Sequence, residues 1–258
     1  MSGDLVSVRV LAISGSAAER ELLRHAAGQI AVPVDIIEVE TATAACSALA
    51  LAAQDIDIAL LDSEIEGKTA FIEAARSAQQ RPFVILIAAP NGASAELSAA
   101  GAGVDGEVTK PATIEQAKAL IERCIRVRLP SRVLVVDDSA TMRSIVRKLL
   151  SASRFRLEIA EAEEGIHALK QISAGKFDLV FLDYNMPGLN GVETLSEIKR
   201  QYPRMGVVIM TSNQDDAVAE RARAAGAAAF LKKPFYASDI DAVLHSVYGL
   251  RMSKPSGS

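Results

Sequence analysis

The sequence VLVVDD at residues 133–138 decides the fold, because a short uninterrupted apolar run ends in two adjacent carboxylates. Similar runs recur downstream: LVFLD (179–183) ends in aspartate, VVIMT (207–211) in threonine, and AFLKKP (229–234) in lysine and proline. An apolar run of this length is typical of a strand buried on both faces of a parallel sheet. The sequence therefore predicts an open α/β sheet with polar groups at the carboxyl ends of its strands, where such sheets bind ligands.

These strand-end side chains are the candidate functional residues. Asp137, Asp138 and Asp183 would meet at one edge of the sheet. Two carboxylates about 4 Å apart cost roughly 4 kcal/mol at an effective dielectric of about 20, so the cluster needs a cation. A divalent metal, a phosphorylatable aspartate, the hydroxyl of Thr211 and the ammonium of Lys233 together indicate a phosphoryl-transfer site.

The same motifs resemble the receiver domain of bacterial two-component response regulators. VLVVDDSATMR (133–143) is similar to the chemotaxis-type single-domain receivers, and LDYNMPG (182–188) and KPF (233–235) follow in the family's order. The resemblance covers about residues 132–250. It implies a flavodoxin-like (βα)5 doubly wound fold, with a five-stranded parallel sheet of order 2-1-3-4-5.

The resemblance also implies a phosphorylation site with a metal beside it. Asp183 would be the phosphoryl acceptor, a carboxylate nucleophile of the aspartyl-phosphate type. Mg²⁺ would be held by Asp138 and Asp183, by Asp137 mostly through water, and by the backbone carbonyl of Asn185. This oxygen-rich ligand set suits Mg²⁺, which commonly uses one or two carboxylates together with water and phosphate.

Four further residues complete the site that the resemblance implies. Thr211 and Lys233 would complete the catalytic set, with Lys233 holding a phosphate oxygen as a compact positive charge. The peptide bond between Lys233 and Pro234 is a candidate for the cis form, which an X-Pro bond adopts at modest cost. Movement of Thr211 toward the phosphate would open space for Phe230, the switch position of the family.

The first half of the chain repeats the second half. Four segments align in order: 10–16 with 133–139, 55–62 with the strand that ends at Asp183, 84–87 with 207–210, and 102–111 with 225–234. Both copies alternate strands with amphipathic helices, which predicts repeated βα units with right-handed crossovers. We therefore expect two flavodoxin-like domains.

The domain boundaries follow from the one short breaker between the copies. Pro130 ends the preceding helix, because the residue before a proline disfavours the helical region. We predict a first domain at 1–128, a linker at 129–131, a complete phospho-accepting receiver at 132–250 and a disordered tail at 251–258.

The first copy has lost most of the chemistry. Asp62 and Lys110-Pro111 remain, but Ser14 and Gly15 replace the acidic pair, Ala88 replaces the threonine, and Glu107 replaces the switch aromatic. One carboxylate holds Mg²⁺ poorly, which predicts a degenerate pseudo-receiver used for dimerisation or partner docking. Two alternatives stay open, a metal-poor route to phosphorylation and another ligand in place of the metal. Asp62 and Lys110 could instead simply form an ion pair.

Composition excludes several other classes of function. The formal net charge of −4 over 258 residues gives no global electrostatic support for nucleic-acid binding. No apolar run approaches the roughly 18 residues that span a bilayer, and the N-terminus lacks the order of a signal peptide. We expect a cytoplasmic protein that binds neither nucleic acid nor membrane. Cys46 and Cys124 are expected to remain unpaired.

The predicted function is that of a phosphorelay response regulator. A histidine kinase or histidine phosphotransfer protein would phosphorylate Asp183, and the output would be contact with a downstream protein, with a homodimer possible and no DNA-binding output domain. The alternative is a phosphate sink or phosphotransfer intermediate that drains a kinase. The protein would catalyse only its own phosphorylation and slow autodephosphorylation. A small-molecule enzyme would need a Gly-rich phosphate loop where Asp137 and Asp138 stand.

Overall fold

The computed structural model describes residues 7–51, 55–89, 103–212 and 216–251. The chain divides into two compact units. One unit comprises Met1–Arg128 together with Leu250–Ser258, and the other comprises Leu129–Gly249.

The first unit is a five-stranded parallel sheet of order β2-β1-β3-β4-β5. Its elements are β1 (Val8–Ile13), α1 (Ala17–Ala27), β2 (Val34–Val39), α2 (Ala42–Leu51), β3 (Ile58–Asp62), α3 (Lys68–Ser77), β4 (Phe83–Ala88), β5 (Gly106–Thr109) and α4 (Ile114–Arg128).

The second unit repeats this topology, with a five-stranded parallel sheet of order β7-β6-β8-β9-β10. Its elements are β6 (Ser131–Val136), α5 (Ala140–Ser151), β7 (Leu157–Ala162), α6 (Gly165–Ala174), β8 (Leu179–Asp183), α7 (Gly191–Gln201), β9 (Gly206–Thr211), α8 (Asp216–Ala224), β10 (Ala229–Lys232) and α9 (Ala237–Val247). Counted within each unit, both orders are 2-1-3-4-5, which confirms the predicted fold class.

The central strands are continuous apolar runs because both of their faces are covered by helices. Every residue of β3, β4 and β8 is buried, whereas the edge strands β2 and β7 contain exposed and half-buried positions. Two helices of the second unit show clear terminal residues. The Ser139 hydroxyl accepts a hydrogen bond from the Met142 amide as N-cap of α5, and Gly175 ends α6.

The strand order reverses beside the first strand of each sheet. In the second unit β6 pairs with β7 on one side and with β8 on the other, so the helices that follow these strands leave toward opposite faces. A crevice therefore opens at the carboxyl ends of β6 and β8, which is where open α/β sheets bind ligands.

The chain returns to the first unit after the second unit is complete. Leu250 is 5% exposed and packs against Gly106 at the start of β5. Arg251 and Glu107 exchange both backbone hydrogen bonds at 2.9 Å in an antiparallel bridge, and Arg251 Nη2 donates to Thr109 Oγ1 at 2.6 Å. The predicted boundaries put Leu250 in the second domain and Arg251 in the tail. Strand β5 lies at the edge of its sheet, where its outer side can pair with a returning segment, so both residues join the first unit.

The remainder of the predicted tail, residues 252–258, lies outside the described residues. In the described part of the chain, no helix combines the length and the apolar character needed to cross a membrane. Both cysteine thiols are free, and burial raises the pKa of the Cys124 thiol to about 12.

The contact at Leu250 yields a stability prediction. Leu250→Ala should lower the free energy of unfolding of the first unit by about 2 kcal/mol, because a buried leucine side chain is truncated. Hydrogen–deuterium exchange at the Glu107 amide, which donates to Arg251, should become faster. The matched control is Leu51→Ala, since Leu51 is 81% exposed. Equal exchange at Glu107 in both variants would contradict the predicted role of Leu250.

Candidate functional site

Three carboxylates meet at the carboxyl edge of the second sheet. Val136 and Leu182 are partners in the pairing of β6 with β8, so Asp137 and Asp183 follow on adjacent strands. Asp137 and Asp183 are buried, whereas Asp138 is exposed. One oxygen from each of the three lies within 4.8 Å of the others. Among the described residues, no other three Asp, Glu, His or Cys side chains converge in this way.

Lys233 supplies the positive charge at this cluster. Its Nζ lies 2.8 Å from Asp137 Oδ2 and 2.8 Å from Asp183 Oδ1. The Lys233 amide donates to the Thr211 carbonyl at 2.7 Å, and the Lys233–Pro234 peptide bond is cis. The pairing of β10 with β9 thus carries the lysine to the same edge as the acids.

The charges at this edge are incompletely balanced. Burial raises the pKa of Asp183 above its usual value, and the nearby charges of Asp137 and Asp138 act in the same direction against the opposing effect of Lys233. Burial alone would lower the pKa of Lys233, but its hydrogen bonds to Asp137 and Asp183 raise it. The three carboxylates outnumber the single ammonium that contacts them. A divalent cation with oxygen ligands fits this charge and these donors.

The other predicted site residues lie around this cluster. Thr211 is the last residue of β9 and is fully buried, and Asn185 is exposed two residues beyond Asp183. Phe230 is partly buried against the core of the second unit, and its register partner is Ile209. Phe230 is therefore two residues further from the carboxyl edge of the sheet than Thr211.

The sequence analysis missed Arg143 on α5. Its Nη1 donates to the Asp137 carbonyl at 2.7 Å and lies 3.4 Å from the Asp138 carbonyl, and its Nε donates to Glu161 Oε2 at 3.1 Å. Alignment of the two copies contains the signal, because Arg20 stands six residues after Ser14 just as Arg143 stands six residues after Asp137.

The equivalent edge of the first unit carries a closed polar network. Lys110 Nζ lies 2.5 Å from Glu19 Oε1 and 3.3 Å from Asp62 Oδ2. The Ser14 hydroxyl lies 2.7 Å from Glu19 Oε2 and 3.2 Å from Asp62 Oδ2. Burial would lower the pKa of Lys110, but Glu19 and Asp62 raise it. The ion pair of Asp62 and Lys110 is therefore present, with Glu19 as a partner that the sequence analysis did not identify.

Known proteins match the unit that contains the acidic cluster. Residues 133–245 match the family model of the response regulator receiver domain. Over 119 residues the chain is 33% identical to the chemotaxis protein CheY-3 of Vibrio cholerae, and the alignment covers 45% of this chain and 91% of that protein. The chain belongs to the response regulators.

A second curated protein and a crystal structure are also similar to this response regulator. It is 39% identical over 110 residues to a protein-glutamate methylesterase/protein-glutamine glutaminase of Symbiobacterium thermophilum, covering 42% of this chain and 30% of that protein. A crystal structure of a putative two-component system response regulator/GGDEF domain protein matches 93% of this chain and 99% of its own, with a TM-score of 0.55 and 22% identity. That match shows the fold of both units.

Membership places this response regulator in two-component phosphorelay signalling. Receiver domains are signalling modules that interact with histidine kinases or phosphotransfer proteins, and they bind Mg²⁺ through acidic residues. An acidic group of that kind is present at residues 137, 138 and 183.

Gly191 tests how tightly the site is packed. A Cβ at Gly191 would lie 2.4 Å from the Asp183 carbonyl oxygen and 2.7 Å from Tyr184 Cα, so both would have to shift. Gly191→Ala should therefore lower the free energy of unfolding by about 1–3 kcal/mol in urea titrations. The control is Gly15→Ala in the first unit, where a Cβ meets no atom within 4 Å. Equal loss of stability in both variants would refute the close packing at Gly191.

Proposed function

We propose that this response regulator accepts a phosphoryl group on Asp183 from a histidine kinase or a histidine phosphotransfer protein. One observation carries the proposal: three carboxylates lie within 4.8 Å of one another, and the Lys233 ammonium contacts two of them. Like charges converge in this way where a cation and an anionic phosphoryl group are to be bound together.

Asp183 is the nucleophile in this proposal. Its carboxylate oxygen attacks phosphorus, an O–P bond forms, the P–N bond of the donor phosphohistidine breaks, and the imidazole leaves. Lys233 already contacts Oδ1 of Asp183, so its ammonium is in position to hold a phosphoryl oxygen. Thr211 ends the adjacent strand and supplies a hydroxyl to the same group.

The residues that would hold Mg²⁺ are Asp137, Asp138, Asp183 and the backbone carbonyl of Asn185. When bound, Mg²⁺ supplies positive charge to the carboxylates and to the phosphoryl oxygens. Asp137 is anchored for this role, because its Oδ1 accepts a hydrogen bond from the Ser139 amide at 2.9 Å.

Phosphorylation adds about −1.5 to −2 charge at neutral pH, which can bias a nearby two-state element. We assign that role to Thr211 and Phe230, which lie on neighbouring strands at the edge of the sheet. The ring of Phe230 is partly buried against the core, so it can change its packing when Thr211 moves. The output is contact with a downstream protein or a second copy of the chain, and the chemistry is limited to self-phosphorylation and slow autodephosphorylation.

The first unit is proposed to be a pseudo-receiver with a role in assembly or docking. Asp62 is the sole carboxylate that it retains from the three acidic positions, and Lys110 is already held there by Glu19 and Asp62. Glu19, Asp62 and Glu64 each lie within 4 Å of the ammonium, but among the described residues these three carboxylates do not converge within 4.8 Å of one another. This edge therefore lacks the compact oxygen cluster that favours a divalent cation.

Phosphorylation of Asp183 is directly measurable. Incubation of the full chain with acetyl phosphate or phosphoramidate and Mg²⁺ should add the mass of one phosphoryl group, and Asp183→Asn should abolish this increase. Asp62→Asn is the matched control in the first unit and should label normally. Continued labelling of Asp183→Asn would contradict the assignment. The decay rate of the label separates a long-lived switch from a phosphate sink that turns over rapidly.

Metal binding should depend on one unit only. Asp138→Ala should weaken Mg²⁺ binding at least tenfold, about 1.4 kcal/mol, because one of three converging carboxylates is removed. Asp62→Ala should leave the affinity unchanged, since Asp62 already pairs with Lys110. Isothermal titration calorimetry on both variants measures the difference. No uptake by the unmodified chain at millimolar Mg²⁺, or equal losses in both variants, would refute the proposed site.

A further inference from the structure

The Arg143 guanidinium holds the main chain that carries two of the acids. Nη1 donates to the Asp137 carbonyl at 2.7 Å and lies 3.4 Å from the Asp138 carbonyl. The side chain is only 15% exposed, so these contacts are made in a partly desolvated setting. A hydrogen bond with a charged donor is stronger than a neutral one.

The backbone at these two positions decides where the carboxylates point. Four contacts fix Asp137: its amide donates to the Ala162 carbonyl, its Oδ1 accepts from Ser139, its Oδ2 accepts from Lys233, and its carbonyl accepts from Arg143. Asp138 is exposed, so packing restrains its side chain less. The direction of its carboxylate therefore depends more strongly on the conformation of the main chain at residues 137 and 138.

Glu161 on β7 orients the guanidinium. Its Oε2 accepts from Arg143 Nε at 3.1 Å, and its Oε1 lies 3.4 Å from Arg147 Nε. The Glu161 carbonyl is itself held by Gln171 Nε2 at 2.9 Å. A carboxylate on one side and two carbonyls on the other match the planar fork of an arginine, which a lysine cannot reproduce.

The first unit contains an equivalent arginine contact, but Ser14 and Gly15 occupy the positions that align with Asp137 and Asp138. Arg20 Nη1 donates to the Ser14 carbonyl at 2.6 Å, and its Nη2 donates to Glu40 Oε1 at 2.6 Å. The guanidinium-to-carbonyl contact is therefore compatible with either chemistry at the strand end. Arg20 thus gives a matched control with a similar structural task, and the part of the first unit that the structure describes has no three carboxylates converging within 4.8 Å.

We propose that Arg143 is a positioning residue for the metal site, with Glu161 as the residue that orients it. By fixing the carbonyls of residues 137 and 138, Arg143 directs both carboxylates toward the same cation. This inference rests on the proposed function, because it concerns the same acidic cluster. Residues that orient metal ligands commonly change affinity by about 10- to 100-fold when they are replaced.

The test compares Arg143→Met with Arg20→Met in the full chain. Calorimetric titration with Mg²⁺ alone should show about tenfold weaker binding for Arg143→Met and unchanged binding for Arg20→Met. Urea titration should show a loss of stability in both variants, because each loses an ion pair and a charged hydrogen bond to a main-chain carbonyl. Metal affinity is the readout that a purely structural role would leave unchanged.

Two conservative variants keep the test decisive if Arg143→Met does not fold. Arg143→Lys should bind Mg²⁺ with intermediate affinity, since one ammonium can reach a carbonyl but cannot also satisfy Glu161 as a fork does. Glu161→Gln should weaken binding by a few-fold, because the guanidinium loses its charged partner. Wild-type affinity in both variants would overturn the positioning role.

The outcomes separate this inference from the function on which it rests. If the unmodified chain takes up no Mg²⁺, the proposed function fails and the positioning role fails with it. If the unmodified chain binds Mg²⁺ and Arg143→Met binds it equally well, only the positioning role is overturned. Equal weakening in Arg20→Met would likewise overturn it, because the effect would then be a general loss of stability.

Discussion

Repulsion among three converging carboxylates is the constraint on which the second unit depends. The pairing of β6 with β8 brings Asp137 and Asp183 to adjacent strand ends, and Asp138 follows directly. The Lys233 ammonium lies 2.8 Å from two of the carboxylates and offsets part of this repulsion. Burial makes the balance sensitive, because few water molecules screen charges that close. A fold that holds like charges together in this way binds a cation readily and responds to each charge added at the same place.

The two units show how one backbone supports different arrangements of charged groups. In the second unit three carboxylates converge within 4.8 Å and Lys233 contacts two of them, whereas in the first unit the acids are spread around Lys110 in a network that includes Ser14. The sheet order is the same in both. The difference therefore arises from a few side chains near the strand ends, and the strand order of the sheet does not change with it.

The features predicted from sequence were those with a local pattern. Buried apolar runs ending in polar residues predicted the parallel sheets, and the resemblance to receiver domains implied their strand order. The acids of the second copy were expected together because parallel strands end at one edge. Arg143 and Glu19 were missed for a different reason. Arg143 acts on backbone carbonyls, so its only sequence signal is the matching position of Arg20 in the first copy. Glu19 replaces a lost partner from a helix rather than from a strand end.

Leu250 and Arg251 escaped prediction because edge pairing depends on where the chain returns in space. Their hydrogen bonds and burial attach the end of the described chain to β5, although the rest of that unit is completed by Arg128. A polypeptide that emerges from the ribosome in order must therefore finish the whole second sheet before the first can close its open edge. Until then the outer side of β5 lacks the backbone pairing that Arg251 provides, and an edge strand without this cover can pair with another polypeptide.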